Sequence, residues 1–196
     1  PTAPHICEAA CAAIYRGSTK YTHSQGLLSL REAIVESYQQ KFGVELSPDQ
    51  VIVTSGTSPA LLIVFMALLE RMDEVIMSNP HYACYPNFVK YLGGTPVFVY
   101  TSETNGFALE PETVRQCLSS NTKAILINSP SNPGGHVMSS ESLQGLAEIA
   151  DEKGIPIVSD EIYQGLIYSG EEHTILEYTK NAFVLNGFSK LYSMTG

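Results

Sequence analysis

The chain of 196 residues is 44% hydrophobic and 16% charged, enough apolar material to bury a globular core and too much for a disordered tail. Lys and Arg number 11 against 20 Asp and Glu, a formal net charge of −9, which opposes a nucleic-acid backbone or an anionic membrane surface as a general partner. The longest apolar run, Ala60 to Leu69, falls far short of the roughly 20 residues a spanning helix requires, and Pro1 to Ile14 lacks the basic flank and apolar run of a signal peptide.

Residues 1–45 read as a helical segment. Within it, GLLSLREAIVESYQQKFG places Leu27, Leu30, Ile34 and Tyr38 on one stripe and stops at Gly43, as an amphipathic helix with a glycine terminator does. From residue 51, short β-branched runs alternate with helical patterns. The predicted strands are Val51 to Thr54, Glu74 to Met77, Thr95 to Tyr100, Lys123 to Asn128, Ile155 to Ser159 and Ala182 to Asn186. Most are nearly continuous in apolar residues, as strands covered on both faces are. Between them, Ser58-Pro59 opens the helix SPALLIVFMALLE, and SSESLQGLAEIADEKG starts on serine and stops at Gly154, in keeping with the tolerance for Pro in the first turn and the preference for Gly after the last. This alternation predicts an α/β fold: a doubly wound, mostly parallel sheet with helices on both faces.

Several features carry no chemistry on this reading. Cys7, Cys11, Cys84 and Cys117 form no C-x-x-C pair and have no accompanying histidine cluster, so buried thiols in a reducing cytoplasm are expected rather than a zinc site or a disulfide framework. The histidines His5, His23, His81, His136 and His173 have no ligand spacing, and no metal is expected. Ser120-x-x-Lys123 matches a penicillin-binding motif, but that motif belongs at a helix start and here runs into a predicted strand.

Ligands of an open α/β sheet gather outside the carboxyl ends of the strands, so the segments after the strands are informative. The sequences there are SGTSPA, SNPHYACYP, SPSNPGG, DEIYQ and GFSK. Gly56-Thr57-Ser58 lies between a predicted strand and a helix start. It reads as a phosphate cradle, with backbone N–H groups and the helix dipole converging, or as a capped helix with a glycine turn. No G-x-G-x-x-G and no G-x-x-x-x-G-K-[ST] occurs. Asp160, following a buried strand, needs a cation or a strong donor, or else caps a turn. Asn132 reads as a turn residue or a site amide, and Tyr82 as core or rim. Lys190, after an apolar strand, reads as a Schiff-base nucleophile at a crevice mouth or as a surface lysine.

The set KYTHSQGLLSLREAI, TSGTSPAL, NPHYACYP, NSPSNPGG, SDEIYQGL and NGFSKLYSMTG, in this order, resembles the fold-type I pyridoxal-phosphate enzymes, in particular the class I/II aminotransferases of the aspartate aminotransferase kind. The resemblance implies pyridoxal 5'-phosphate as cofactor and amino-group transfer between an amino acid and a 2-oxo acid. It further implies that Lys190 holds the cofactor as an imine and then shuttles a proton. Asp160 pairs with the protonated pyridine nitrogen, while Tyr163 and Asn132 bond the ring's phenolic oxygen. Tyr82 stacks on the ring, Gly56, Thr57 and Ser58 fall on the phosphate-binding turn, and Ser189 is a further cofactor-binding residue. Tyr21 is implied to reach the phosphate of a neighbouring subunit, making a homodimer with shared active sites. Catalysis would fall to Lys190, Asp160 and Tyr163.

The resemblance also sets boundaries: 1–45 leads into a cofactor-binding large domain, 46–196, which is incomplete, with the small C-terminal domain absent. Two positions depart from the family pattern within the chain. Gly187 stands where many members carry a phosphate-binding serine, and Arg71-Met72 replaces Pro-Gly before DEV, which should alter only a turn. The same scaffold hosts C–S lyases and decarboxylases, and non-catalytic cofactor-binding sensor domains, so these stand as the alternative functions.

Overall fold

Five of the apolar runs form a single parallel sheet in the computed structural model, which describes residues 1–195. The strands are β1 (Glu74–Asn79), β2 (Thr95–Tyr100), β3 (Thr122–Asn128), β4 (Ile157–Asp160) and β5 (Ala182–Leu185), arranged in the order β2-β1-β3-β4-β5. Register matters most at the carboxyl ends, where Asn128 lies opposite Asp160 and Asp160 opposite Leu185. Three strand ends are therefore level, and the polar segments after them start from one row.

This sheet belongs to the unit Thr57–Asn186. Alternate strand residues serve its two faces. Ile76, Ile125, Ile127 and Ile157 pack with Val114 of α5 (Pro111–Cys117) and with Leu143, Leu146 and Ile149 of α6 (Ser140–Lys153). Val75, Met77, Ala124, Leu126 and Val158 pack with Leu61 and Phe65 of α3 (Thr57–Leu68) and with Tyr85 and Val89 of α4 (Tyr85–Tyr91). Helices on both faces explain why the strands lack polar alternation, and each fully buried aliphatic or aromatic side chain contributes roughly 1.5–3 kcal/mol. The helix ends are as the sequence predicts: Ser139 caps α6 by accepting from the Ser142 N–H, and Gly154 follows it at φ 64°.

The Arg71-Met72 turn is a left-handed one. Met72 takes φ 72°, and its N–H donates to the Gly93 carbonyl at 2.9 Å, so the turn geometry survives with a residue that disfavours it. Lys123 lies within β3, which leaves Ser120-x-x-Lys123 without a helix start.

The second unit comprises residues 1–56 and the stretch from Gly187. It holds α1 (Pro4–Tyr15), α2 (Leu28–Phe42) and a single 3-10 turn at Pro48–Gln50. Gly43 ends α2 at φ 68°. Arg31 of α2 is buried, with its Nη1 donating to the Pro48 carbonyl at 2.7 Å and meeting Asp49 Oδ1 at 3.4 Å.

One predicted strand is corrected here. Val51 to Thr54 pairs with no strand among the described residues. Its β-branched residues keep the backbone extended, but the Val53 N–H donates to the Gln25 carbonyl of the loop before α2, at 2.9 Å. Ile52 is 60% exposed. β-propensity specifies an extended chain, and a strand also needs a neighbour to pair with.

Candidate active site

The end of β3 builds the first part of the site. Asn128 is the last residue of that strand, and its side chain works in two directions: Nδ2 donates to the Asp160 carbonyl at 2.7 Å, and Oδ1 accepts from the Asn132 N–H at 2.7 Å. One amide thus pins the loop after β3 to the end of β4. The loop is closed by its own bonds, since the Gly135 N–H donates to the Ser131 carbonyl and the Ser131 N–H to the His136 carbonyl, both at 2.8 Å. Asn132 is held in place by these constraints, and its Nδ2 lies 3.3 Å from the Tyr163 hydroxyl.

Asp160 is the last residue of β4, not the first residue beyond it, and is 4% exposed. It points to the side of the sheet covered by α3 and α4, where the Tyr85 hydroxyl donates to its Oδ2 at 2.7 Å; the Ile162 N–H donates to Oδ1 at 3.2 Å. Burial, together with the charge of Asp160, pushes the Tyr85 phenol far above its ordinary range, so it stays a donor. Tyr82 packs edge-on against Tyr85, with ring centroids 5.4 Å apart and planes at 81°. Its own phenol is raised chiefly by a hydrogen bond with Cys84, then by burial and by Tyr163 and Asp160. Four residues, Tyr82, Tyr85, Asp160 and Tyr163, therefore share one electrostatic environment. A cleft of about 460 Å³ opens beside Asn132 and Tyr163, walled by Pro130, Pro133, Val137 and Leu166.

Thr57 and Ser58 form the first turn of α3, where the leading N–H groups have no intrahelical acceptor. Among the predicted site residues of this unit, the structure thus brings Asn132 and Tyr163 into contact and links Tyr82 to Asp160 through Tyr85. Tyr85 and Asn128 are missing from the sequence-based set. A tyrosine three residues after Tyr82 and an asparagine ending a strand carry no signal by themselves; only the fold shows that both bond to Asp160.

The remaining predicted residues lie in the other unit. Gly56 has φ 109° and accepts at its carbonyl from Thr54 Oγ1 at 2.8 Å; a Cβ added there would meet nothing within 4 Å. Lys190 is exposed, in a turn where the Ser193 N–H donates to its carbonyl at 3.2 Å and the Met194 N–H to that of Phe188 at 3.2 Å. The Phe188 and Tyr192 rings flank the turn at 5.7 Å from each other. The Ser189 carbonyl accepts from Thr195 Oγ1 at 3.0 Å. Tyr21 is fully exposed. Gly196, which ends the NGFSKLYSMTG motif, lies outside the described residues.

A parallel α/β sheet with a buried strand-end acid and a paired amide and phenol at the neighbouring strand end has the arrangement at which α/β proteins gather small-molecule ligands. Comparison with known proteins narrows this. The family model for aminotransferase class I and II matches residues 2–196, and the chain belongs to that family. It is 42% identical to an aspartate aminotransferase of Geobacillus stearothermophilus over 200 residues, covering 100% of this chain and 51% of that protein. It is 41% identical to a (5-formylfuran-3-yl)methyl phosphate transaminase of Methanocaldococcus jannaschii, covering 97% of this chain and 49% of that one. Among solved structures, a Thermus thermophilus aspartate aminotransferase mutant superposes with a TM-score of 0.97 at 40% identity, over 100% of this chain and 51% of that chain. An alanine aminotransferase from Pyrococcus furiosus gives 0.96 at 39% identity, over 100% and 50%. The chain spans about half the length of the curated relatives it matches. Among the described residues no helix is long and apolar enough to cross a membrane.

Proposed function

We propose that this chain carries the cofactor-binding part of a pyridoxal-phosphate-dependent aminotransferase, which moves an amino group between an amino acid and a 2-oxo acid. The single observation that carries this reading is the Asn132 amide meeting the Tyr163 phenol at 3.3 Å, three residues along from the buried, tyrosine-held carboxylate of Asp160. These groups suit the cofactor chemically. A carboxylate that is buried and anchored at both oxygens is a fixed partner for a protonated ring nitrogen. An amide and a phenol that converge are two donors for an aromatic oxygen, and the N–H groups at the start of α3 suit a phosphate. The relatives named above are aminotransferases or transaminases, which favours amino-group transfer over elimination or decarboxylation on the same scaffold.

When bound, pyridoxal phosphate supplies an electron sink in conjugation with the α-carbon of the amino acid. The residues of this chain would hold it. Asp160, itself held by Tyr85, would stabilise a positive charge on the ring nitrogen. Asn132 and Tyr163 would donate to its phenolic oxygen, and Tyr82 would stack on the ring. Gly56, Thr57 and Ser58 would serve the phosphate and Ser189 the cofactor, while Gly187 offers no hydroxyl. Lys190 would supply the amine that anchors the cofactor and would carry a proton to and from the substrate's α-carbon.

The large cofactor-binding domain is assigned to 46–196, with 1–45 leading into it. The assembly is a homodimer in which Tyr21 serves the neighbouring copy's phosphate site; its fully exposed ring supports this. A reducing cytoplasm is the proposed compartment, in keeping with four free cysteines, although Cys7 and Cys11 are exposed and Cys84 and Cys117 half-buried rather than buried as expected. The test is chemical: incubation with pyridoxal phosphate and reduction with borohydride should leave one stable adduct, on Lys190 by peptide mass, and Lys190→Ala should lack both the adduct and the visible absorbance. An adduct and band unchanged in Lys190→Ala would remove Lys190 from this role.

A further inference from the structure

Glu161 stands next to Asp160 in sequence but faces the opposite side of the sheet, and the proposed chemistry makes no use of it. It is 2% exposed, yet no cation pairs with it among the described residues. Its Oε1 instead accepts from Ser159 Oγ at 2.9 Å, Thr174 Oγ1 at 3.1 Å and the Ile175 N–H at 3.1 Å, while Oε2 accepts from Gln164 Nε2 at 3.0 Å. Gln164 then turns its Oε1 to Asn186 Nδ2 at 2.8 Å. The Glu161 N–H donates to the Leu185 carbonyl at 2.8 Å, carrying the β4–β5 pairing one residue past Asp160. Asn186 is the residue at which the chain leaves β5, and Lys190 comes four residues later.

We infer that Glu161 is a positioning residue for the proposed cofactor chemistry: by setting the polarity of a relay from Asn186 through Gln164 to its own carboxylate, it fixes both the strand end that bears Asp160 and the point at which the chain turns towards Lys190. The direction of this relay is imposed. Once ionised, as at pH 8, the Glu161 carboxylate only accepts, so Gln164 must offer its nitrogen to Glu161 and keep its oxygen for Asn186. In Glu161→Gln, with Oε1 keeping its three donors, an NH2 would face the NH2 of Gln164. Flipping Gln164 removes that conflict by turning its NH2 towards Asn186, whose amide must then reverse as well to offer its oxygen. Glu161→Gln therefore either leaves a buried donor unmatched, which a low-dielectric site penalises, or reverses the Asn186 amide at the end of β5. The doubly exchanged protein, Glu161→Gln with Gln164→Glu, restores every pairing. The amide now at position 161 would donate to the carboxylate now at position 164, and that carboxylate would accept from Asn186.

This inference rests on the proposed function, so the experiment separates the two. Pyridoxal phosphate is titrated at pH 8 into wild type, Glu161→Gln, the doubly exchanged protein and Asn186→Ala, with the dissociation constant and the pH midpoint of the bound visible absorbance as readouts. On the scale known for outer partners of metal ligands, whose loss commonly costs about 10-fold or more in affinity, Glu161→Gln should bind about 10-fold more weakly with a displaced midpoint. The doubly exchanged protein should return to within about 3-fold of wild type. Asn186→Ala, at an exposed position, reads the same link from its far end and serves if Glu161→Gln does not fold. Wild type without a borohydride-fixed adduct on Lys190 would overturn the function and the inference together. A normal wild-type adduct with unchanged affinity and midpoint in Glu161→Gln and Asn186→Ala would overturn the inference alone, as would a doubly exchanged protein no better than Glu161→Gln.

Discussion

Tyr85→Phe deletes one oxygen from a place where the protein cannot replace it with water. The hydroxyl is 2.7 Å from Asp160 Oδ2, Tyr85 is 3% exposed and Asp160 is 4% exposed. A hydrogen bond to a charged group contributes about 1.5–3 kcal/mol, and removing the donor leaves a buried carboxylate short of one partner. The ring stays, so its packing with Tyr82 and the core of α4 is preserved, and no cavity larger than a hydroxyl forms. The expected loss is therefore about 2 kcal/mol. For a chain of this size each kcal/mol moves Tm by roughly 2–4 °C, which predicts a fall of about 4–8 °C in thermal melts followed by circular dichroism at pH 7. High salt should not change the difference, because the pair is shielded from the ionic atmosphere. Tyr85→Leu should lose more, since it also removes the edge-on contact with Tyr82, worth about 0.5–1.5 kcal/mol. A Tyr85→Phe protein that melts at or above the wild-type temperature would refute the argument that this phenol holds the acid.

Three further outcomes are expected. Burial raises the Glu161 carboxyl from 4.5 to about 7, so the folded state binds that proton more tightly than the unfolded chain. The stability it contributes is fully present below about pH 4.5 and lost as pH rises through about 7, an effect of roughly 3 kcal/mol. Urea titrations at pH 5 and pH 8 should show this difference in wild type but not in Glu161→Gln, and equal differences in both proteins would contradict it. Met72→Gly should raise stability by about 1 kcal/mol, because Met72 sits at φ 72° where only glycine is unstrained; an unchanged midpoint would mean that the turn relaxes at no cost. Gly26→Ala should destabilise by about 3 kcal/mol, since its Cβ would lie 2.5 Å from Val53 Cγ2 at a φ of 99°. Combined with Val53→Gly it should cost less than the sum of the two single changes, and strict additivity would rule out the clash.

The order of strands and helices was readable because parallel strands covered on both faces must be apolar along their whole length, and helix ends need caps. Glu74 to Met77, Thr95 to Tyr100 and Lys123 to Asn128 are visible by that rule, as are the glycine stops at Gly43 and Gly154. So was the family, through motifs placed at successive strand ends. Val51 to Thr54 shows where the rule stops: it satisfies the composition of a strand, and its partner turned out to be a loop. The partners of Asp160 were equally out of reach, because Tyr85 is 75 residues away in the chain and Asn128 is 32.

Local chemistry thus determined which residue types stand at the strand ends and that those ends were the place to look for a site. Tertiary structure alone decided that Asn132 meets Tyr163, that a phenol anchors Asp160, and that Glu161 is enclosed by donors rather than paired with a cation. The physical reason is that periodicity and capping depend on neighbours a few residues apart, whereas the satisfaction of a buried polar group depends on whichever distant atoms the sheet register brings level with it.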